Sequence, residues 1–249
     1  MIQADRNELW TALRERAPAD GVAWLEEKTL AAGEDPGVVA IAFPAVGRKV
    51  GRGMLDPASD PDDVHAWTLD DAGRTLLLRA AGDRVGDLLE DLYRHGDAAE
   101  RRGVLRALPF LPLRGSAVRL VDDALRTNDA RLIAAAMGPY ALAHLDDAAL
   151  AQAVLKCVFV GIPVSPLPGL EDRVTPDLSR MLAGYVHERV AAGRDVPAEV
   201  WKIIDRHPPT SELRAIFAEL EHPVGDRRRA AAKTLADRRA VEELAGKEG

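Results

Sequence analysis

Apolar residues recur along most of this chain at three- and four-residue steps, the spacing that gathers side chains on one face of a helix, while the two-residue alternation of a half-buried strand is scarce. The first such run covers Asp5 to Arg16 and turns Leu9, Trp10 and Leu13 inward. The second, Val22 to Ala32, carries Trp24, Leu25 and Leu30 and is closed by Gly33, so the two read as an antiparallel pair. A third apolar segment, Val38 to Val46, contains Phe43 followed by Pro44 and must kink or end there. An acidic, proline-containing loop follows from Asp56 to Asp63. Trp67 then leads into Thr68 and Asp71, a capping start for a helix bearing Leu76, Leu77 and Leu78.

From there the pattern predicts helices over 69–81, 84–95, 98–108, 115–126, 129–137, 146–160 and 176–192, with turns at Gly82, Gly96, Pro112 and Gly138. Helix pairs repeat at about 30 residues, too short to bury their own apolar stripes, so neighbours must stack. The expected fold class is all-α: stacked antiparallel helix pairs in a HEAT-like α-solenoid, with an irregular helical bundle as the rival. Thr175-Pro176-Asp177 marks a helix start, combining a capping threonine, proline at the first helical position and an acid in the first turn. Further helices centre on Trp201 with Ile204 and on Leu213 to Leu220. One domain is expected over residues 1–222, followed over 223–249 by a charged, Ala-rich helix or partly ordered tail.

Asp146 to Gly161 constrains the chemistry most. Ala149, Leu150, Ala153, Val154, Leu155, Cys157, Val158, Phe159 and Val160 leave that helix apolar almost all round, which predicts a central position, yet Lys156 sits in it with Gln152 one turn earlier. A buried ammonium must reach a carboxylate, snorkel to a wet cavity or lose its proton. Lys156 is therefore either half of an ion pair that fixes register or a pocket cation for an anionic or carbonyl group, with Asp122, Asp123, Glu100, Asp172 and Glu188 as candidate partners.

Charge and composition narrow the field further. A net charge of -7 over 249 residues argues against a surface built to hold nucleic acid. The single cysteine, Cys157, excludes an internal disulfide and reads as a reduced core residue. No basic-then-apolar leader and no run of about 18 uncharged apolar residues is present, so a cytoplasmic location is expected. Gly47 to Gly53 joins Arg48, Lys49 and Arg52 to three glycines, a composition that suits an anion or a turn whose cations meet acids such as Asp62 or Asp63; it lacks the spacing of a P-loop. The six histidines have no metal-ligand spacing, and His144 reads as part of a turn. No nucleophile elbow occurs, so no metal, cofactor or catalytic set is expected.

Val154 to Val160, Gly169-Leu170-Glu171-Asp172-Arg173, Glu188 to Arg194 and Trp201 together resemble the C-terminal signature of the EboA family. Arg48 with Gly51-Arg52, Trp67, Glu100-Arg101-Arg102 before Leu105 to Pro109, and Arg126-Thr127-Asn128 resemble earlier family positions in the same order, so the likeness spans residues 45 to 205. Gly138-Pro139-Tyr140-Ala141 and Leu150-Ala151-Gln152 depart from the usual Asn-Pro-Tyr-Pro and Trp-Asn-Gln. The resemblance implies membership of the ebo gene cluster, which neighbours a prenyltransferase-like membrane protein, a sugar-phosphate-cyclase-like enzyme and hydrolase-like proteins and is associated with making or exporting a secondary metabolite. It brings no catalytic residues.

The first expectation is a non-catalytic helical scaffold that binds a pathway intermediate, a small anionic metabolite or a partner protein of that cluster, with Lys156, Gln152, Arg48, Arg52, Asn128, Arg173 and Arg189 as candidate ligand-binding residues. The alternative is an enzyme acting on a phosphorylated, prenylated or cyclitol-like molecule, with Lys156, Arg48, Arg52, Arg173 and Arg189 converging on an anion. A third reading is a membrane-peripheral adaptor working through Arg227-Arg228-Arg229.

Overall fold

The structure, a computed structural model, describes the backbone of residues 6–245 and the side chains of residues 6–240; Asp5 and the last residues of the predicted tail, 246–249, lie outside the described residues. It is all-α. Among the described residues there is no strand, and the one isolated β-bridge joins Met54 to Thr68. No described helix is long and apolar enough to cross a membrane. The chain packs as two compact units, Met1–Leu145 and Asp146–Gly249.

The first unit contains α1 (Arg6–Arg16), α2 (Ala19–Glu34), α3 (Gly37–Ala42), α4 (Val46–Lys49), α5 (Leu69–Ala80), α6 (Gly86–His95), α7 (Ala98–Ala107), α8 (Val118–Arg126), α9 (Ala130–Ala136) and α10 (Pro139–His144). The proline after Phe43 acts as expected: it turns Phe43–Ala45 into a 3-10 step between α3 and α4. The paired cap expected at Thr68 and Asp71 is present at the start of α5. Asp97 with Glu100 caps α7 the same way. The centre of this unit is α5, which packs against α1, α2 and α7 and is buried at every residue from Leu69 to Leu78. A short helix, α10, stands where the sequence pattern predicts a turn; its end residue His144 stacks 4.5 Å from the Tyr140 ring.

The second unit contains α11 (Asp147–Val160), α12 (Pro176–Ala191), α13 (Val200–Ile204), α14 (Thr210–Ala218) and α15 (Gly225–Ala245). Asp146 caps α11 by accepting the Ala149 amide at 2.8 Å. Gly161 ends it at φ 79°, a left-handed position that glycine adopts without steric cost, so that the Ile162 amide can bond back to the Cys157 carbonyl at 2.8 Å. Thr175 and Pro176 start α12 as the sequence predicts, and Leu178, Leu182, Val186 and Val190 bury its face.

The all-round burial predicted for α11 does not hold. Phe159 is 73% exposed, Gln152 is exposed and Lys156 is half-buried, because this unit covers the helix on one side. Nor is Leu30 of α2 a core residue; it is 74% exposed. The Ala-rich segment after residue 222 forms α15, a long helix that packs on α12 and α13 through Ala230, Ala231, Thr234 and Leu235. Arg238 fixes it by pairing with Asp205 at 2.7 Å and lying 5.2 Å over the Trp201 ring.

Candidate functional site

Two arginine systems meet α7, one sealed and one open. The sealed one begins at Thr68, whose hydroxyl donates to Asp70 at 2.7 Å while its amide donates to Asp71 at 3.2 Å. Both carboxylates have no exposed surface. Helix α7 supplies the cations one turn apart. Arg102 Nε donates to both oxygens of Asp71 at 2.9 and 3.1 Å, and its Nη2 donates to the Thr68 hydroxyl at 3.0 Å. Arg106 Nε lies 3.3 Å from Asp71, and its Nη atoms donate to the carbonyls of His65 and Val64 at 3.0 and 3.1 Å. Burial lowers the Arg106 pKa from its ordinary value, and the attraction of Asp71 opposes that.

Arg74, one turn after Asp70 and wholly buried, completes the network by pairing with that carboxylate. Its guanidinium lies 5.4 Å from the Phe43 ring. Gly103 makes room for it, and Gly47 lies against it. A Cβ at Gly103 would stand 2.6 Å from Arg74 Cδ, and one at Gly47 would stand 3.5 Å from its Nη2. Gly47, in the segment read as an anion cradle or a turn, sits in α4. This network pins the loop that ends in Trp67, whose ring lies 5.3 Å under Arg106. It shows what buried ions need, with each charge answered by a partner.

The open system is a cleft of ≈ 310 Å³ formed by α6, α7 and α8. Its cations are Arg94, Arg101, Arg119 and Arg126, and its carboxylates are Glu90 and Asp123. Arg94 pairs with Glu90 at 2.7 Å and Arg119 takes the other oxygen of the same carboxylate. Tyr93, 4% exposed, donates its hydroxyl to Asp123 at 3.0 Å. Burial, then the bond to Asp123, raises the Tyr93 pKa far above its usual value, so the phenol stays a donor. Arg101 lies 5.6 Å over the Tyr93 ring and donates to the carbonyls of Gly96 and Arg94 at 3.1 and 3.2 Å. Arg126 has no ion-pair partner among the described residues. Four guanidiniums against two carboxylates make the cleft electropositive on a chain whose net charge is -7. Planar forks at such a place suit phosphate or carboxylate oxygens.

Of the cleft residues, Arg101, Arg126 and Asp123 figure in the sequence reading, the first two in the resemblance and Asp123 as a possible partner of Lys156; Arg94, Arg119, Tyr93 and Glu90 do not. Their signal is spacing. Glu90, Tyr93 and Arg94 fall at i, i+3, i+4 on α6, and Arg119, Asp123 and Arg126 at i, i+4, i+7 on α8, each set on one helical face.

The residues singled out from the sequence are distributed otherwise. Arg48 is exposed in α4, Arg52 is exposed 4.0 Å from Asp97, and Asn128 is exposed in the turn between α8 and α9. Those three belong to the first unit. In the second unit Lys156 and Gln152 lie one turn apart on α11, Arg173 pairs with Asp147 at 2.9 Å, and Arg189 donates twice to the Asp195 carbonyl at 3.0 and 2.9 Å. The Cys157 thiol is pushed up to about 12 by burial, against a small opposing effect of Lys156, and is no thiolate at neutral pH. Arg227 holds both oxygens of Glu219, Arg228 donates to the His222 and Pro223 carbonyls, and Arg229 pairs with Asp226, so the three cations of the membrane reading are engaged within their own unit. No group of three or more His, Cys, Asp or Glu that could hold a metal ion occurs among the described residues.

No curated protein and no solved structure matches the chain. A family model described as "Metabolite traffic protein EboA" matches residues 6–205, most of both units, and by that match the chain belongs to the EboA family.

Proposed function

We propose that this protein is a non-catalytic binder that takes a small anionic metabolite in the cleft of α6, α7 and α8, as its part in the metabolite traffic for which the family is named. The observation that carries this reading is the ring of four guanidiniums around two carboxylates, with Arg126 left without an ion-pair partner among the described residues. Arginine keeps its proton at any working pH, so the guanidiniums grip and orient an anion and move no proton to or from it, while Tyr93 spends its hydroxyl on Asp123. Arg101 and Arg126 are also residues through which the sequence resembles the family. A cytoplasmic location and hand-over to other proteins of the ebo cluster belong to the same reading.

Calorimetric titration with inorganic pyrophosphate tests it. The wild-type protein is expected to bind saturably, more weakly as salt rises. The double substitution Arg119→Ala with Arg126→Ala, both at exposed positions, is expected to weaken binding at least tenfold with the melting temperature unchanged. Absence of saturable binding by the wild type, or binding indifferent to the double substitution, overturns the proposal.

A further inference from the structure

A second concavity of the first unit, ≈ 580 Å³ in volume, lies among α1, α2 and the C-terminal half of α5, within the size range of small-molecule sites. Its lining combines two chemistries. Leu30 is 74% exposed there, a large apolar side chain left in water, beside Trp10, which is 8% exposed. The polar lining is cationic: Arg6, Arg14 and Arg79 stand against one carboxylate, Glu26. Arg14 uses that carboxylate up. Its Nε and Nη2 both donate to Glu26 Oε1, at 3.1 and 2.8 Å, while its guanidinium lies 5.5 Å over Trp10, which fixes it as part of the wall. Arg6 and Arg79 have no carboxylate partner among the described residues, and Arg79 lies 5.9 Å from the Phe110 ring.

We propose that this groove is a second binding site, separate from the α6–α8 cleft, for a small amphipathic anion whose apolar body covers Leu30 and whose carboxylate or phosphate head meets Arg6 and Arg79. The α6–α8 cleft is a different concavity, lined by six charged residues together with Tyr93 and Leu120, and shares no residue with this groove. Covering Leu30 removes apolar surface from water, and the Arg6 and Arg79 guanidiniums, without a carboxylate partner among the described residues, select the charged end.

Calorimetric titration of the whole chain with decanoate and with decyl phosphate is the test, with decanol lacking the charge and inorganic phosphate lacking the body. Expected is one saturable site per chain, at least tenfold tighter for one or both amphiphiles than for either control; the tighter of the two identifies the head group. Leu30→Asp and Arg79→Gln, both at positions outside the core, are each expected to weaken that binding at least tenfold, while Arg126→Ala leaves it unchanged. Equal binding of decanol, several non-saturating sites, or indifference to both groove substitutions overturns the proposal, and none of these outcomes touches the α6–α8 cleft.

Discussion

Helix α5 carries Asp70, Asp71 and Arg74 with no exposed surface, whereas α11, apolar almost all round, leaves Phe159 73% exposed and Lys156 half-buried. Local hydropathy ranks the two the wrong way round. What buries α5 is the neighbour it meets, because α7 presents Arg102 and Arg106 one turn apart and Gly103 between them, so that the polar stripe of α5 finds charges of opposite sign and a gap for Arg74. What exposes part of α11 is the lack of a comparable covering on one side within its own unit. A charged stripe is thus surface or core according to the stripe it faces.

The sharpest way to break this contrast is Asp71→Ala. It leaves Arg102 and Arg106 buried beside a missing carboxylate and removes half of the cap on α5, so the loss is expected at about 3–5 kcal/mol. Urea unfolding of the purified protein measures it; a loss below about 1 kcal/mol would show that water already reaches these guanidiniums and that they belong to no sealed network. Next in size is Gly103→Ala. The new Cβ meets Arg74 Cδ at 2.6 Å, inside contact distance, and the arginine is held at its far end by Asp70, so about 1–3 kcal/mol is expected from overpacking. An unchanged denaturation midpoint would mean that Arg74 can step aside.

How far the sequence carries is visible in the same pair of helices. The boundaries of α5 and α11 are within two residues of the predicted ones, because Thr68 with Asp71, Asp146 and Gly161 are local signals that hydrogen-bond within a few residues of themselves. The burial of each escapes a local reading because it depends on partners far along the chain: Arg102 lies 31 residues from Asp71. The α6–α8 cleft escapes it likewise. Each helix declares its polar face, but nothing local says that Arg94, Arg119 and Arg126 come to share one concavity. Pairing across distant segments, which turn geometry and capping do not encode, is the part a single sequence leaves unread.

On α11 the expected effects are smaller. Cys157 has the thiol pushed up to about 12, so native protein at pH 8 is expected to leave a thiol-specific chromogenic reagent essentially unreacted, and to react once urea unfolds it. Rapid labelling of the folded protein would place that thiol in contact with water and extend the exposure at Phe159 across to the neighbouring face.

Lys156→Met closes the comparison from the other end. A fully enclosed ammonium would make this change large in one direction or the other, since the substitution removes either an ion pair or an unpaired charge. The half-buried position implies a side chain whose methylenes lie along the helix surface, and methionine reproduces the methylenes. Stability is therefore expected to change by no more than about 1 kcal/mol, the range for a partly exposed charge together with whatever it meets. Measured beside Asp71→Ala in the same urea titration, the two values form a direct ratio. A Lys156→Met effect approaching that of Asp71→Ala would mean that α11 encloses its charge as thoroughly as α5 does, and the distinction between a charged stripe answered by its neighbour and an apolar helix half left open would fail.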